Sequence, residues 1–352
     1  MLIFYNKIKM IDIFEYPFIY RELNKYLTDE DKFNIILLNK FINFKRSYFF
    51  FDKLVEYSDE LQNKWYYNNL KNIKIETLVT FPQNLKYLEI NFRNFNQEDV
   101  LKFETLIPKS LEHINIRNCK FNFNIPFDMK LTIDYLTNKI NLDHISDIKT
   151  NIISKKLKSF GRPKKLEILV TTKSLKLTIP DSVEFLKLSK VYKLKRNIIP
   201  NSVKILTIDT WGISNFKNKI PNSVENLDIF VGFSNYSQEV KINLPNSIKK
   251  LKIGGVLNVT IPESVVNLTI YNLDELESFK MFSVTNLALI GCYDSLKSHY
   301  KIPDCVVELT INLCSLDFIL DFNNVKFLKT KKSYYEHFKN SISDNVEIIL
   351  LN

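Results

Sequence analysis

The chain has 352 residues with 49 Lys and Arg against 39 Asp and Glu, a net charge of +10, and a 45% apolar content that can supply more than one domain core. It contains no run of about twenty apolar residues to span a bilayer, and its four cysteines include no C-x-x-C pair for zinc or thioredoxin-type chemistry. Its six glycines form neither a P-loop nor a G-x-G-x-x-G turn, and G-x-S-x-G and H-E-x-x-H are both absent.

Residues 1–80 hold one proline, Pro17, and their apolar positions recur at helical spacing: Ile19, Leu23 and Leu27, then Phe33, Ile36, Leu37 and Phe41. Thr28-Asp29-Glu30-Asp31 separates the two segments. Thr28 or Asp29 is the expected N-cap of the second helix, with acidic residues in its first turn. A third, aromatic-rich segment runs from Tyr48-Phe49-Phe50-Phe51 to Trp65-Tyr66-Tyr67. This pattern predicts a small helical domain over 1–50, with its core at 11–45. A helical linker over 51–80 is expected to cover the open end of the region that follows.

From residue 81 one phrase recurs at intervals near twenty residues: apolar-Pro-x-polar-apolar-x-x-apolar-x-apolar. Ten of the eleven prolines belong to it. Complete copies stand at Pro82, Pro108, Pro180, Pro200, Pro221, Pro245, Pro262 and Pro303, and the copy at Pro163 is read with Leu166 and Leu169. Three copies keep apolar positions without proline: Val284-Leu287-Leu289, Val325-Leu328 and Val346-Ile349-Leu351. One is a residue short, with Pro126 followed by Met129, Leu131 and Ile133. About a dozen repeats over 81–352 predict a solenoid.

The apolar-x-apolar pair, such as Leu206 and Ile208, has the period of a strand with one buried face, and Val203 adds a third inward contact. Proline, which fixes φ and donates no hydrogen bond, suits the turn before the strand. The serine two residues later is expected to satisfy backbone groups of its own turn. One repeat buries too little to fold alone, so copies must stack with their strands in parallel register. The predicted class is α/β, a solenoid with one long curved parallel β-sheet preceded by the helical domain.

Within the repeats, Leu111 to Phe121 and Val306 to Leu316 fit the leucine-rich-repeat phrase L-x-x-L-x-L-x-x-N/C-x-L. Cys119, Cys292 and Cys314 share one slot in it and are expected to be small buried core residues. Cysteines without a pairing pattern, and no leader segment, point to a reducing compartment, cytoplasmic or nuclear rather than secreted.

The positive charge is concentrated. Residues 149–196 hold 14 Lys and Arg against 3 Asp and Glu, whereas the flanking regions are close to neutral. Arg162, Lys164, Lys165, Lys187 and Lys190 belong to this band, which could hold an acidic partner. Few aromatics are interleaved for base stacking, so nucleic acid is not expected.

Parity assigns the recognition positions. With Leu206 and Ile208 inward, Ile205, Thr207 and Asp209 face the exposed side, predicted to be concave. The equivalent positions give His113, Arg117, Phe185, Lys187, Asp209, Asp228, Phe230, Lys250 and Tyr271 as candidate partner-binding residues. Their chemical variety suits a protein partner better than a repeated small ligand. His113, His144, His299 and His337 are far apart in sequence, which on a solenoid means far apart in space. No catalytic residue, metal site or cofactor is assigned, and the chain is not expected to be an enzyme.

The I-P-x-S-V-x-x-L-x-I phrase resembles the FNIP repeat, which Phe123-Asn124-Ile125-Pro126 spells out literally. Such repeats are common in social amoebae and in giant DNA viruses that infect amoebae, and the resemblance implies a leucine-rich-repeat-like solenoid for protein recognition. The N-terminal segment resembles an F-box. Ile19, Leu23 and Leu27 fall at its first-helix aliphatics, Tyr26-Leu27 at its tyrosine-leucine pair and Leu38-Asn39-Lys40 at its valine-x-lysine. The leading leucine-proline pair is here Tyr16-Pro17, with the proline one residue closer to Leu27 than in the family. The resemblance implies that Pro17, Ile19, Leu23, Leu27 and Leu38 contact a Skp-family adaptor of a cullin-RING ubiquitin ligase, while the repeats bind the target protein. The alternative is a scaffold outside the ligase machinery whose basic band holds an acidic partner.

Overall fold

The structure, a computed structural model, describes residues 26–32, 55–58, 70–136, 140–153, 161–169, 178–191, 197–211, 220–232, 242–255, 259–271, 276, 279, 281–291, 299–312, 319–322 and 324–351. Pro17, Ile19, Leu23, Leu38, Cys292 and Cys314 lie outside the described residues, as does most of the helical domain expected at 1–50. The chain forms two compact units, Met1–Ile148 and Lys149–Asn352.

In the first unit residues 29–32 form a helical turn. Thr28 caps it: its Oγ1 accepts the Asp31 N–H at 3.1 Å, and the Asp31 carboxylate accepts the Thr28 N–H at 3.0 Å. The strands are β1 (Val55–Glu56), β2 (Asn72–Ile75), β3 (Tyr87–Asn91), β4 (His113–Arg117), β5 (Phe123–Asn124), β6 (Lys130–Leu136) and β7 (Ile140–Asn141). Then β8 (Asp147–Ile153) runs past the end of the unit. Strands β1, β2, β3, β4 and β6 pair in that order, every pair parallel, and β5 pairs with β7 separately. Helix α1 (Gln97–Leu106) begins at a capping box between Asn96 and Asp99. Its Phe103 packs with Phe92 and Phe123, each ring 5.6 Å from the next.

Two strands stand where the sequence suggested a helical linker over 51–80. Leu70, Ile73 and Ile75 carry the apolar triplet of the repeat without its proline, and all three are at most 1% exposed. They build β2, a further turn of the same ladder. Another unmarked copy gives β8, where Ile145 and Ile148 are buried and Thr150 replaces the last aliphatic of the triplet.

The second unit continues with β9 (Lys165–Leu169), β10 (Phe185–Val191), β11 (Ile205–Trp211), β12 (Asn226–Gly232), β13 (Lys250–Gly254), β14 (Asn267–Ile270) and β15 (Asn286–Ile290). After these come β16 (His299–Lys301), β17 (Glu308–Asn312), β18 (Ile319–Asp321), β19 (Phe327–Lys331) and β20 (Glu347–Leu351), with a short helix α2 (Lys332–Phe338) before the last strand. Apart from the separate β16–β18 pair, the strands lie side by side in chain order, all parallel. One row of inward side chains, Leu186, Leu206, Leu227, Leu251, Leu268, Leu287, Leu309 and Leu328, runs through this unit. Each is at most 2% exposed, so consecutive repeats share a continuous core.

The turns explain the rest of the phrase. The carbonyl of the proline accepts the N–H three residues on, at 3.2 Å from Val203 to Pro200 and at 3.0 Å from Val306 to Pro303. Each proline with this bond therefore opens a β-turn without surrendering a donor that the turn needs. Serine acts differently from the local role expected of it. Ser202 donates to the Val183 carbonyl at 2.8 Å, Ser223 to that of Val203 at 2.8 Å and Ser247 to that of Val224 at 2.7 Å. The hydroxyl thus ties each turn to the preceding repeat.

Two register assignments are corrected. Leu166 pairs with Leu186, so Leu166 and Ile168 are the strand aliphatics and Pro163 occupies the buried slot that Val183 fills one repeat later. The carbonyl of Pro163 accepts from Ser182 just as that of Val183 accepts from Ser202. At the other end Leu328 pairs with Ile348 and Lys329 with Ile349, one residue away from the register of Val346-Ile349-Leu351. Strand β20 is apolar at four consecutive positions, so period two does not specify which set faces inward.

Candidate functional site

In each unit one face of the strand ladder is uncovered among the described residues, and the parity argument places the candidate residues on it. In the first unit Tyr87, His113 and Lys130 form one row, and Glu89, Asn115 and Thr132 the next. His113, expected as a free surface side chain, is half-buried, with Nε2 at 2.8 Å from Thr132 Oγ1 and its ring edge-on to Tyr87 at 4.9 Å. Arg117 pairs with Glu89 at 3.2 Å. Glu89 is only 6% exposed, and Asn115 bridges it to the Tyr87 hydroxyl, donating to each at 3.3 Å. Burial pushes the Tyr87 hydroxyl pKa up.

This network joins His113, Asn115 and Arg117, which parity places on one face, to two residues that sequence reasoning left unassigned: Tyr87 and Glu89. The signal for them was available, since Tyr87 and Glu89 flank the inward Leu88 at period two. A buried Glu nevertheless reads as an exposed one until its neighbours on the next strand are known. The charges here neutralise one another.

In the second unit the open face carries three rows. Phe185, Ile205, Asn226, Lys250, Asn267 and Asn286 make the first, and Lys187, Thr207, Asp228, Lys252 and Thr269 the second. In the third row Asp209 stands beside Phe230 and Phe230 beside Gly254, with Tyr271 closing over the glycine. A methyl group on Gly254 would lie 2.9 Å from Tyr271 and 3.1 Å from Phe230, so the absence of a side chain lets the two rings meet edge-to-face at 6.1 Å. Phe230 is 41% exposed and Ile205 39%.

Asp228 sits half-buried in the middle row. Burial pushes its carboxyl pKa up, against the pull of Lys252 and Lys187, yet neither lysine forms an ion pair with it among the described residues. Burial and the Asp228 charge push the Tyr271 hydroxyl up as well. Lys165 pairs with Glu167 at 3.1 Å and lies 5.3 Å from the Phe185 ring centre, so part of the basic band is spent within the face. Arg162, Lys164 and Lys190 are exposed in turns or at a strand end. The described part of the band is therefore spread over different surfaces.

Leu27 is half-buried and Tyr26 is 82% exposed at the start of the capped helical turn. Cys119 is buried, with Sγ 3.8 Å from the Phe121 carbonyl, as expected for a core thiol. Among the described residues no group of three or more His, Cys, Asp or Glu could hold a metal ion, and no helix is long and apolar enough to cross a membrane.

Residues 173–210, which include β10 and most of β11, match the FNIP Repeat family. Among solved structures the chain is similar to one titled as the crystal structure of CroV588, a novel circular LRR protein, at 15% identity and a TM-score of 0.28. That similarity covers 81% of this chain and 66% of the other, just short of two thirds of its length. No curated protein matches the chain. The FNIP match and the parallel repeat ladder suggest a protein-interaction repeat protein, and families of this kind are typically non-catalytic scaffolds.

Proposed function

We propose that this chain is the substrate-recognition subunit of an SCF-type cullin-RING ubiquitin ligase. Its F-box-like segment docks a Skp-family adaptor, and its repeats hold the protein to be ubiquitinated. The observation that carries the recognition half is the open face of the second unit. Its backbone repeats in register, but its outward side chains change along each row, from Phe185 through Ile205 and Asn226 to Lys250 in the first and from Lys187 through Thr207 to Asp228 in the second, with Asp209, Phe230 and Tyr271 beside them. A rigid ladder with non-repeating chemistry suits an irregular protein surface, with exposed aromatic rings as anchors.

The adaptor half is supported by the spacing of Ile19, Leu23 and Leu27 and by the Thr28 cap, which begins a new helical turn immediately after Leu27. In this reading the chain makes and breaks no covalent bond. It raises the local concentration of its target beside a ubiquitin-loaded enzyme.

Titration calorimetry of the purified full chain with a purified Skp-family adaptor tests the proposal. Saturable one-to-one binding is expected, abolished by Leu27→Asp and by Leu38→Asp while the circular dichroism spectrum stays unchanged. A well-folded wild-type chain that does not bind the adaptor would overturn it and leave a scaffold outside the ligase machinery.

A further inference from the structure

We propose that the patch around Phe230 on the open face of the second unit is a pocket for an arginine side chain presented by the partner, a reading that rests on the recognition role proposed for that face. Three observations point there. Asp228 and Asp209 both border Phe230, Asp228 two residues earlier on the same strand and face and Asp209 directly across on β11. Neither carboxylate forms a hydrogen bond or ion pair among the described residues. The ring they border is 41% exposed and is buttressed by Tyr271, which can approach only because residue 254 has no side chain.

A guanidinium group meets all three features at once. It stacks flat on an aromatic ring while its fixed fork of donors reaches a carboxylate, which an ammonium group does less well. The neighbouring cations shape the choice. Lys252 lies beside Asp228 in the same row and Lys187 two strands away, and both draw on its charge without making contact. They leave the space above the carboxylate to a donor from outside, and they would favour an acidic residue next to the arginine in the bound segment.

The test is titration of the full chain at low salt with three blocked pentapeptides, Gly-Ser-Arg-Ser-Gly and its citrulline and glutamate counterparts. The arginine peptide is expected to bind, and the citrulline peptide to bind at least about tenfold more weakly because it lacks the charge-assisted hydrogen bonds. Asp228→Asn and Phe230→Ala should each weaken arginine-peptide binding by a similar factor. Lys252→Gln should strengthen it by about two- to threefold, because it removes a partly screened competing charge. The opposite sign for Lys252→Gln, equal binding of the citrulline peptide, or preference for the glutamate peptide would overturn the arginine pocket. Those results would leave the face itself as a recognition surface. Binding of none of the three peptides would also overturn the pocket, while the recognition role of the face is decided separately by cross-linking from Phe230.

Discussion

A half-buried carboxylate with no donor bonded to it destabilises the fold that contains it, and among the described residues Asp228 is such a group. Its folded pKa is raised, so the folded chain holds the Asp228 proton more tightly than the unfolded chain does. The resulting penalty is complete above the raised pKa and is relieved as pH falls through that value towards the ordinary aspartate range. Asp228→Asn is therefore expected to raise the melting temperature at neutral pH and to flatten the pH dependence of stability in the acidic window. A lower melting temperature for Asp228→Asn at pH 7 would show that the carboxylate supports the fold. A residue whose removal stabilises the chain but weakens peptide binding has the profile of a functional position.

Among the elements, the turn-to-turn serine ladder makes a sharper prediction than the strands. Ser223 bonds the Val203 carbonyl at 2.8 Å, so Ser223→Ala should cost about 1 kcal/mol in urea unfolding. Ser264 occupies the same slot one repeat beyond Ser247, but its buried hydroxyl has no partner among the described residues. Ser264→Ala should accordingly be neutral or stabilising, and equal losses at the two sites would refute the ladder as a source of stability. The strands were legible in the sequence because apolar-x-apolar pairs repeat with fixed offsets from proline. Where proline itself fills a buried slot, as at Pro163, the same offsets point three residues astray. Where both faces of a strand are apolar, as in β20, parity carries no information. The strands β2 and β8 have no proline just before them, so the proline offsets do not mark them, although Leu70, Ile73 and Ile75 carry the triplet.

At the scale of the whole molecule, the repeat ladder in each unit follows from the phrase, and the outward residues follow from the ladder by parity. Which outward residues act together was not legible, because contacts across strands depend on register: Glu89 meets Arg117, and Phe230 meets Tyr271 across Gly254. The proposed role uses two parts of the chain, the segment around Leu27 for docking an adaptor and the open face around Phe230 for recognition. The most direct test places a photo-crosslinking amino acid at Phe230 or, as a control, at Phe282, which is 67% exposed in a turn outside the open face. Ubiquitination of the trapped protein is then measured in cells that contain the adaptor. The account predicts cross-linking from position 230 but not from 282, to a protein whose ubiquitination is lost when Leu27→Asp is introduced. Cross-linking only from position 282, or a trapped protein whose ubiquitination is indifferent to Leu27→Asp, would contradict it.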